Sequence, residues 1–551
     1  MITGRNAFLQ LLIDEGVTHL FGNPGTTELA IMEAVPHFPQ LKYVLGLQES
    51  IVVGMADGYA RASGQLAACN LHCTPGLGHA MGALYNAKFS GSPLIVTAGQ
   101  YEQGYGLQEP MLYEPLVPIA APLCKWAIEV PRIEDLPRIV HRAAKIALAP
   151  PTGPVFISLP GDILDAEGDI DLGAPTRVER ATRPSDGTIA QLAVRLAAAS
   201  NPVIVAGREI ASRDAFDEAS LLAELLGAAV YHEPVPYNAR FPTEHPAFMG
   251  DLTRNQAHVR KTLERYDLLI CLGADLLRMS PHSAVDPLPP QMPVVHITER
   301  IWELGKNYST EIAIHADVRE TLRALMPVLR STTSADYARR AEGRIAKLRD
   351  TNWSAQKEAA RKNALSFADA GPIDVRYLMM TLAETLPPQA IVVEEAVTAA
   401  AALSTFVPLR KADSFYGLAS GGLGFALPGA IGVSLARPGR PVVAAVGDGS
   451  SMYAIQALWT AAHLELPITY VLINNRSYRI IKDRLVSLRN SDRFTGMDMT
   501  RPNIDFVRVA QGLGMKATRV SEPQALGAAL REGIEVGTPN LIEVVVASGY
   551  A

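Results

Sequence analysis

Val446-Gly447-Asp448-Gly449-Ser450 and, further along, Ile473-Asn474-Asn475 bound the stretch that decides the fold. Asp448 and Asn475 stand 27 positions apart. One helix (Ser451 to about Leu464) and one apolar strand (Ile468 to Ile473) fit between them, the second half of a parallel βαβ unit. Each oxygen-bearing side chain then falls at the C-terminal end of its own strand, on the rim where open α/β sheets bind ligands. A carboxylate and an amide oxygen so placed suit Mg²⁺, a hard cation that takes few protein oxygens and completes its shell with phosphate and water. Gly447 and Gly449 let the backbone approach a diphosphate, and the helix N-terminus after Ser450 offers it free N–H groups. The stretch predicts a site for a metal-bridged diphosphate.

The rest of the composition agrees with a soluble enzyme. A chain of 551 residues is too long for one core and implies three domains of ordinary size. With 48% apolar and 19% charged residues and a net charge of −6, it lacks the basic stripe of a nucleic-acid binder. Cys69, Cys73, Cys124 and Cys271 are too few and too scattered for a disulfide framework. Cys69-x₃-Cys73 has no second ligand pair to complete a zinc site, so reduced thiols in a cytoplasmic protein are expected. The first twenty residues have neither a basic n-region nor a long apolar h-region, and no apolar run is long enough to span a bilayer.

Along the chain, short apolar strands alternate with amphipathic helices, the pattern of doubly wound parallel sheets. Strands are expected at 18–21, 43–47, 67–71, 93–98 and 154–158, with helices at 6–15, 50–62 and 78–90. This first α/β domain covers 1–165 and gives way to a polar, Pro/Gly-rich linker over 166–187. A second, 188–330, has strands near 202–206, 228–231, 267–272 and 293–297. The segment 334–365 interleaves acids with bases and reads as a connecting helix. The third domain, 371–551, carries the diphosphate site.

Around that site the chain resembles the thiamine diphosphate-dependent enzymes, in their benzoylformate decarboxylase branch. The resemblance rests on GDG followed by NN, and on FGNPGTTEL (21–29), LGLQESIVVGMADGYARASG (45–64), NLHCTPGLGHAMGAL (70–84), SPLIVTAGQ (92–100) and GGLGFALPGAIG (421–432), in that order. It spans nearly the whole chain and implies pyrimidine-binding, middle and diphosphate-binding domains. It implies thiamine diphosphate and Mg²⁺ as cofactors, the metal held by Asp448, Asn475 and the carbonyl of Ser477. Glu49 becomes the acid that hydrogen-bonds the cofactor's pyrimidine, although a first-turn acid also complements the helix dipole. Leu423 becomes the apolar wedge that bends the cofactor, with the Gly421 carbonyl beside it. Thr398, Gly447, Gly449 and Ser450 fall to diphosphate binding, with Val397 where the family has a second hydroxyl. Above the reactive carbon the family places a serine and two histidines. Thr26 takes the serine position here, or serves as an N-cap. His72, at a strand end, suits proton transfer; His79 reads as structural. Ser280 falls where the second histidine belongs, leaving His282 two residues beyond it as the candidate.

Substrate-pocket positions also depart from the family. Gly417 and Arg484 stand where the branch has phenylalanines, with Ile481 nearby, so the pocket loses two rings and gains a guanidinium suited to an anionic acyl chain. The expected reaction is non-oxidative decarboxylation of a small 2-oxo acid to an aldehyde and CO₂. Two alternatives remain at this point: an acetolactate synthase-like carboligase, whose Gln-Trp pair is replaced here by Asp483-Arg484, and a cofactor-bound regulatory subunit. The resemblance further implies a homo-oligomer, a dimer whose active sites are shared between chains, assembled into a homotetramer.

Overall fold

The computed structural model describes residues 1–549 except Pro236, Pro281 and Ala370. Three six-stranded sheets, every strand parallel to its neighbours, follow one another along the chain. The first holds His19–Gly22, Lys42–Leu45, Ala67–Leu71, Leu94–Gln100, Ala127–Glu129 and Val155–Pro160. The last holds Ile391–Glu395, Phe415–Gly417, Val442–Gly447, Ile468–Asn474, Lys516–Val520 and Asn540–Val545. With strands numbered by their order in the chain, both run 2-1-3-4-6-5 across the sheet. The middle sheet runs 3-2-1-4-5-6, the dinucleotide-fold order. Central strands such as Leu268–Leu272 and Val442–Gly447 read as unbroken apolar runs because helices cover both faces.

Several elements depart from the sequence reading. The middle sheet gains two edge strands, Phe248–Asp251 and Ile312–His315; both are four residues long, and the first carries a glycine. The segment 334–365 forms two helices, Ala335–Leu348 and Trp353–Leu365, because Asn352 accepts from Ala355 N and starts a new helix. The helix expected from Ser451 to Leu464 instead begins at Asp448 as one turn. It tightens into i→i+3 bonds at Tyr453 and Ala454, and resumes only at Ala457–His463. Within the 166–187 linker, Glu167–Gly168 pairs antiparallel with Ile2–Thr3.

The first and last sheets dock through two helices, Glu49–Ser63 and Ala426–Ala436. A Cβ on Gly58 would stand 2.3 Å from Gly429 O, and one on Gly432 would stand 2.0 Å from Met55 O, so the helix backbones pack nearly in contact. Arg61, on the first helix, donates to Gly417 O at 3.0 Å and to Tyr237 O, with its guanidinium 4.8 Å from the Phe425 ring centroid. One side chain thereby ties together parts of all three α/β units.

Candidate active site

In a 2-1-3-4-6-5 sheet the order reverses between strands 1 and 3, and a crevice opens beyond their C-terminal ends. In the first sheet those ends deliver Asn23 to Glu28 and His72. In the last they deliver Ala396 to Thr398 and Asp448. Several of the expected residues lie at these two crevices, and others do not.

At the last sheet, Thr398, Leu423, Gly447, Asp448, Gly449, Ser450, Asn475, Ser477 and Ile481 line a single cavity of about 200 Å³. Asp448 is buried, and burial raises its carboxyl to about 6 despite N–H donors that stabilise the anion. Gly449 N donates to its Oδ1 at 2.8 Å and Arg476 N to its Oδ2 at 2.6 Å. Ser477 N and Oγ both donate to Asn475 Oδ1, at 2.9 and 3.1 Å. No group of three or more His, Cys, Asp or Glu side chains converges as a metal site among the described residues.

Leu423 is held by residues the sequence reading did not single out. Glu395, buried at its strand end, accepts from Gly424 N at 2.6 Å and from Ala426 N at 2.7 Å; burial raises its carboxyl to about 8. Asn86 Oδ1 accepts from Ala419 N and Ser420 N, and its amide donates to Asp57. The Gly-rich turn is therefore fastened to both sheets. Gly421 adopts φ 84 and lies outside the cavity lining, where a Cβ would meet nothing within 4 Å. Tyr453 and Tyr478 line the cavity, so it has rings from positions other than the two expected. Their signal was faint, because Tyr453 sat inside an apparently regular helix.

At the first sheet, Glu49 Oε1 accepts from Asn23 Nδ2 at 3.1 Å, and Glu49 Oε2 lies 3.0 Å from His79 Nδ1. His79, read as structural, thus touches the acid. His72 Nδ1 lies 2.9 Å from Glu28 Oε2 and 3.1 Å from Thr27 Oγ1. Glu28, wholly buried, also accepts from Gly25 N and Gly99 N. It escaped the sequence reading, although Gly25-x-x-Glu28 has capping-box spacing. Thr26 is exposed and opens the turn Thr26–Glu28 with Gly25 at its N-cap, so the capping role considered for Thr26 is not the one it plays.

The remaining expected residues stand apart from the cavity. His282 is exposed and does not line it; neighbouring Pro281 lies outside the described residues. Gly417 is taken up by Arg61 and by its own N–H to Tyr237 O. Arg484 is half-buried on the helix Arg479–Arg489, whose first turn does line the cavity.

Models of three thiamine pyrophosphate enzyme domains match the chain in order: the N-terminal TPP binding domain over 2–112, the central domain over 189–325, and the C-terminal TPP binding domain over 396–544. A benzoylformate decarboxylase of Pseudomonas aeruginosa is 33% identical over 547 residues, 99% of each chain. The isozyme 3 large subunit of acetolactate synthase from Escherichia coli is 28% identical, covering 97% of this chain and 92% of its own. Among solved structures, a thiamine diphosphate-dependent 4-hydroxybenzoylformate decarboxylase from Rhodococcus jostii matches with a TM-score of 0.87, at 33% identity and 99% coverage of both chains. On this evidence the chain belongs to the thiamine diphosphate-dependent enzyme family.

Proposed function

We propose that the chain is a Mg²⁺-dependent decarboxylase of this family, which splits a 2-oxo acid into an aldehyde and CO₂. The observation that carries the reading is His72 at the first crevice, bonded through Nδ1 to the buried Glu28 carboxyl. That contact orients the ring and leaves Nε2 to hand a proton across the rim. Thiamine diphosphate, when bound, would supply an electron sink for the pair left on carbon as CO₂ departs. Glu49 holds the pyrimidine, and Thr26 supplies a hydroxyl for the substrate carboxylate. Asp448, Asn475 and the Ser477 carbonyl hold Mg²⁺; Thr398, Ser450 and the backbone at Gly447 and Gly449 take the diphosphate, with Leu423 and Gly421 against its thiamine portion. His282 is a candidate second proton carrier, and Gly417, Ile481 and Arg484 are the candidate substrate contacts.

The residues fit such a group. A Cβ built on Gly447 meets nothing nearer than 3.8 Å, so the space above it is open to a ligand. Asp448, a carboxyl that burial disfavours as an anion, would be stabilised in its charged form by a bound cation. The carboligase reading draws on the acetolactate synthase relative. Against a nucleotide cofactor in the middle unit stands the packing of its own crevice. A Cβ on Gly207 would lie 2.2 Å from Ala274 Cα, and Arg300 pairs with Asp275 across the strand ends.

We further take the domains as 1–165, 188–330 and 371–551. No helix among the described residues is long and apolar enough to cross a membrane. All four cysteines are free, in keeping with a cytoplasmic protein. The working unit is a homo-oligomer, a dimer sharing its sites and doubled to a tetramer. CO₂ release from a panel of 2-oxo acids, with thiamine diphosphate and Mg²⁺ present, tests the reaction. Acetolactate-type products without aldehyde would replace it with carboligation.

A further inference from the structure

The helix Cys73–Ser90 sets two histidines along one acid. His72, its N-cap, and His79 stand seven positions apart, about two helical turns, so they share a face with Gly76 between them. A Cβ on Gly76 would stand 3.3 Å from Glu49 Cγ, 3.4 Å from Glu49 Oε1 and 3.4 Å from His72 Cβ. The bare backbone at Gly76 is what lets the Glu49 side chain lie along this face. The two rings then take different acids. His72 Nδ1 meets the buried Glu28, whereas His79 Nδ1 lies 3.0 Å from Glu49 Oε2.

Glu49 is gripped at both oxygens, by side chains from two other elements. Asn23, just past the strand His19–Gly22, donates to Oε1 at 3.1 Å, and His79 stands at Oε2. Contacts on both oxygens hold the carboxyl in one orientation. Stability alone does not account for the second contact. The His79 side chain is 61% exposed against 9% for Glu49, and a pair so open to water adds little to the fold. Ordering the His79 ring also costs side-chain entropy. What the contact supplies is direction. The tautomer follows from the work proposed for Glu49. An acid that shares its proton with the cofactor's pyrimidine cannot also give that proton to His79. In a neutral imidazole one nitrogen donates and the other accepts, and the partner decides which. His79 Nδ1 therefore carries the hydrogen. Among the described residues nothing hydrogen-bonds His79 Nε2, so no second contact dictates the opposite tautomer.

We infer that His79 is a positioning residue for Glu49, donating from Nδ1 to Oε2 so that the carboxyl keeps its proton for the pyrimidine. The role rests on the assignment of Glu49 proposed above, and holds whether decarboxylation or carboligation follows. His79→Leu fills the space without a donor; His79→Asn returns an amide N–H near the place of Nδ1. With thiamine diphosphate and Mg²⁺ bound, exchange of the cofactor's C2 hydrogen into D₂O is expected to fall about tenfold or more in H79L, and to recover to within about threefold of wild type in H79N. Cofactor affinity by calorimetry and the melting temperature stay close to wild type in both. A contact that served only the fold would instead lower the melting temperature and spare exchange. The second readout needs no cofactor. In apoprotein ¹⁵N-labelled at histidine, the His79 signals, assigned by their loss in H79N, are expected to show neutral His79 with its hydrogen on Nδ1. That preference is expected to weaken in Glu49→Ala. Exchange lost in Glu49→Gln but intact in H79L, or a neutral His79 with its hydrogen on Nε2, would overturn the role and leave Glu49 in place. Failure of H79N to restore what H79L loses would overturn it too, since a donor would not be what His79 supplies. Wild-type exchange in Glu49→Gln would remove the assignment of Glu49 itself, and the role of His79 with it.

Discussion

His72 Nδ1 stands 2.9 Å from Oε2 of Glu28, a side chain with no exposure to solvent. The carboxyl is fixed from every direction, by Gly25 N at 2.9 Å, Gly99 N at 3.0 Å and Thr27 Oγ1 at 2.8 Å. A histidine backed in this way keeps one ring orientation and one tautomer at the nitrogen it presents to the crevice. Glu28→Gln preserves the shape, but its amide must direct N–H groups at neighbours that are themselves donors, Gly25 N, Gly99 N and Thr27 Oγ1. Turnover is expected to fall about tenfold or more, with a stability loss of about 1–3 kcal/mol. Cofactor affinity, read by the thermal shift on adding thiamine diphosphate and Mg²⁺, stays close to wild type. Unchanged kcat would remove Glu28 from proton handling.

Glu49→Gln tests the other crevice residue. Its carboxyl bonds Asn23 and His79 within one chain, and its proposed partner is the cofactor's pyrimidine. Glutamine fills the same volume without a carboxyl proton to share, so cofactor binding persists while turnover drops about a hundredfold or more. Exchange of the cofactor's C2 hydrogen into D₂O, followed by NMR after acid quench, reads the step directly. Exchange at the wild-type rate in the variant would refute the assignment.

Asp448→Ala removes a carboxylate at a strand end and leaves the core apolar set untouched. At a ligand excess of about a hundredfold over Kd, binding stabilises the wild type by about 2.7 kcal/mol. The variant is expected to fold but to lose that shift, as the wild type does when EDTA replaces Mg²⁺. An equal shift in the variant would show that Asp448 does not hold the metal.

Buried carboxyls set the pH dependence of the apoprotein. Glu299 and Glu394 are raised to about 7 and Glu395 to about 8, chiefly by burial, from an ordinary 4.5. The native state therefore keeps protons that the unfolded chain releases, and stability is lost as pH rises through these values. Histidines depressed by burial, such as His19 at about 4 and His296, act with the opposite sign, but their contribution is complete by about pH 6.5. Lys125, lowered to about 8 by burial, adds stability only above that. Between about pH 6.5 and 8 the melting temperature is thus expected to fall. Glu395→Gln is expected to flatten the slope; differential scanning calorimetry at matched ionic strength decides it, and an unaltered slope would count against a protonated Glu395.

The parallel sheets were legible because their central strands are continuous apolar runs separated by helices of ordinary length. The edge strands Phe248–Asp251 and Ile312–His315 were not: four residues, half of them facing water in the second, leave little pattern. Site residues brought by a local motif, such as Asp448 and Asn475, could be found from spacing alone. Those that act across the fold could not. Asn86 grips the turn at Ala419 and Ser420 from more than three hundred positions away, and Arg61 reaches Gly417 O and Tyr237 O on two other units. Tyr453 enters the cavity because the chain tightens between two helical turns, a departure from the 3.6 period that periodicity itself conceals.

The two halves of the candidate site also bear on assembly. The cavity that holds Asp448 is lined only by residues from Val375 to Ala547, and no residue of the first sheet reaches it. Glu49 and His72 belong to a separate cluster on the first crevice of the same chain. Since one cofactor must meet Glu49 and Asp448 together, the first crevice of one chain is expected to face the cavity of a two-fold partner. Mixing Glu49→Gln with Asp448→Ala protein under subunit exchange tests this. A site formed from the first domain of an Asp448→Ala chain and the last domain of a Glu49→Gln chain carries neither lesion. Random pairing of equal amounts makes about a quarter of all sites intact, so about a quarter of wild-type activity should return. Verified heterodimers that remain inactive, or a monomer that sediments alone with full activity, would overturn the shared site.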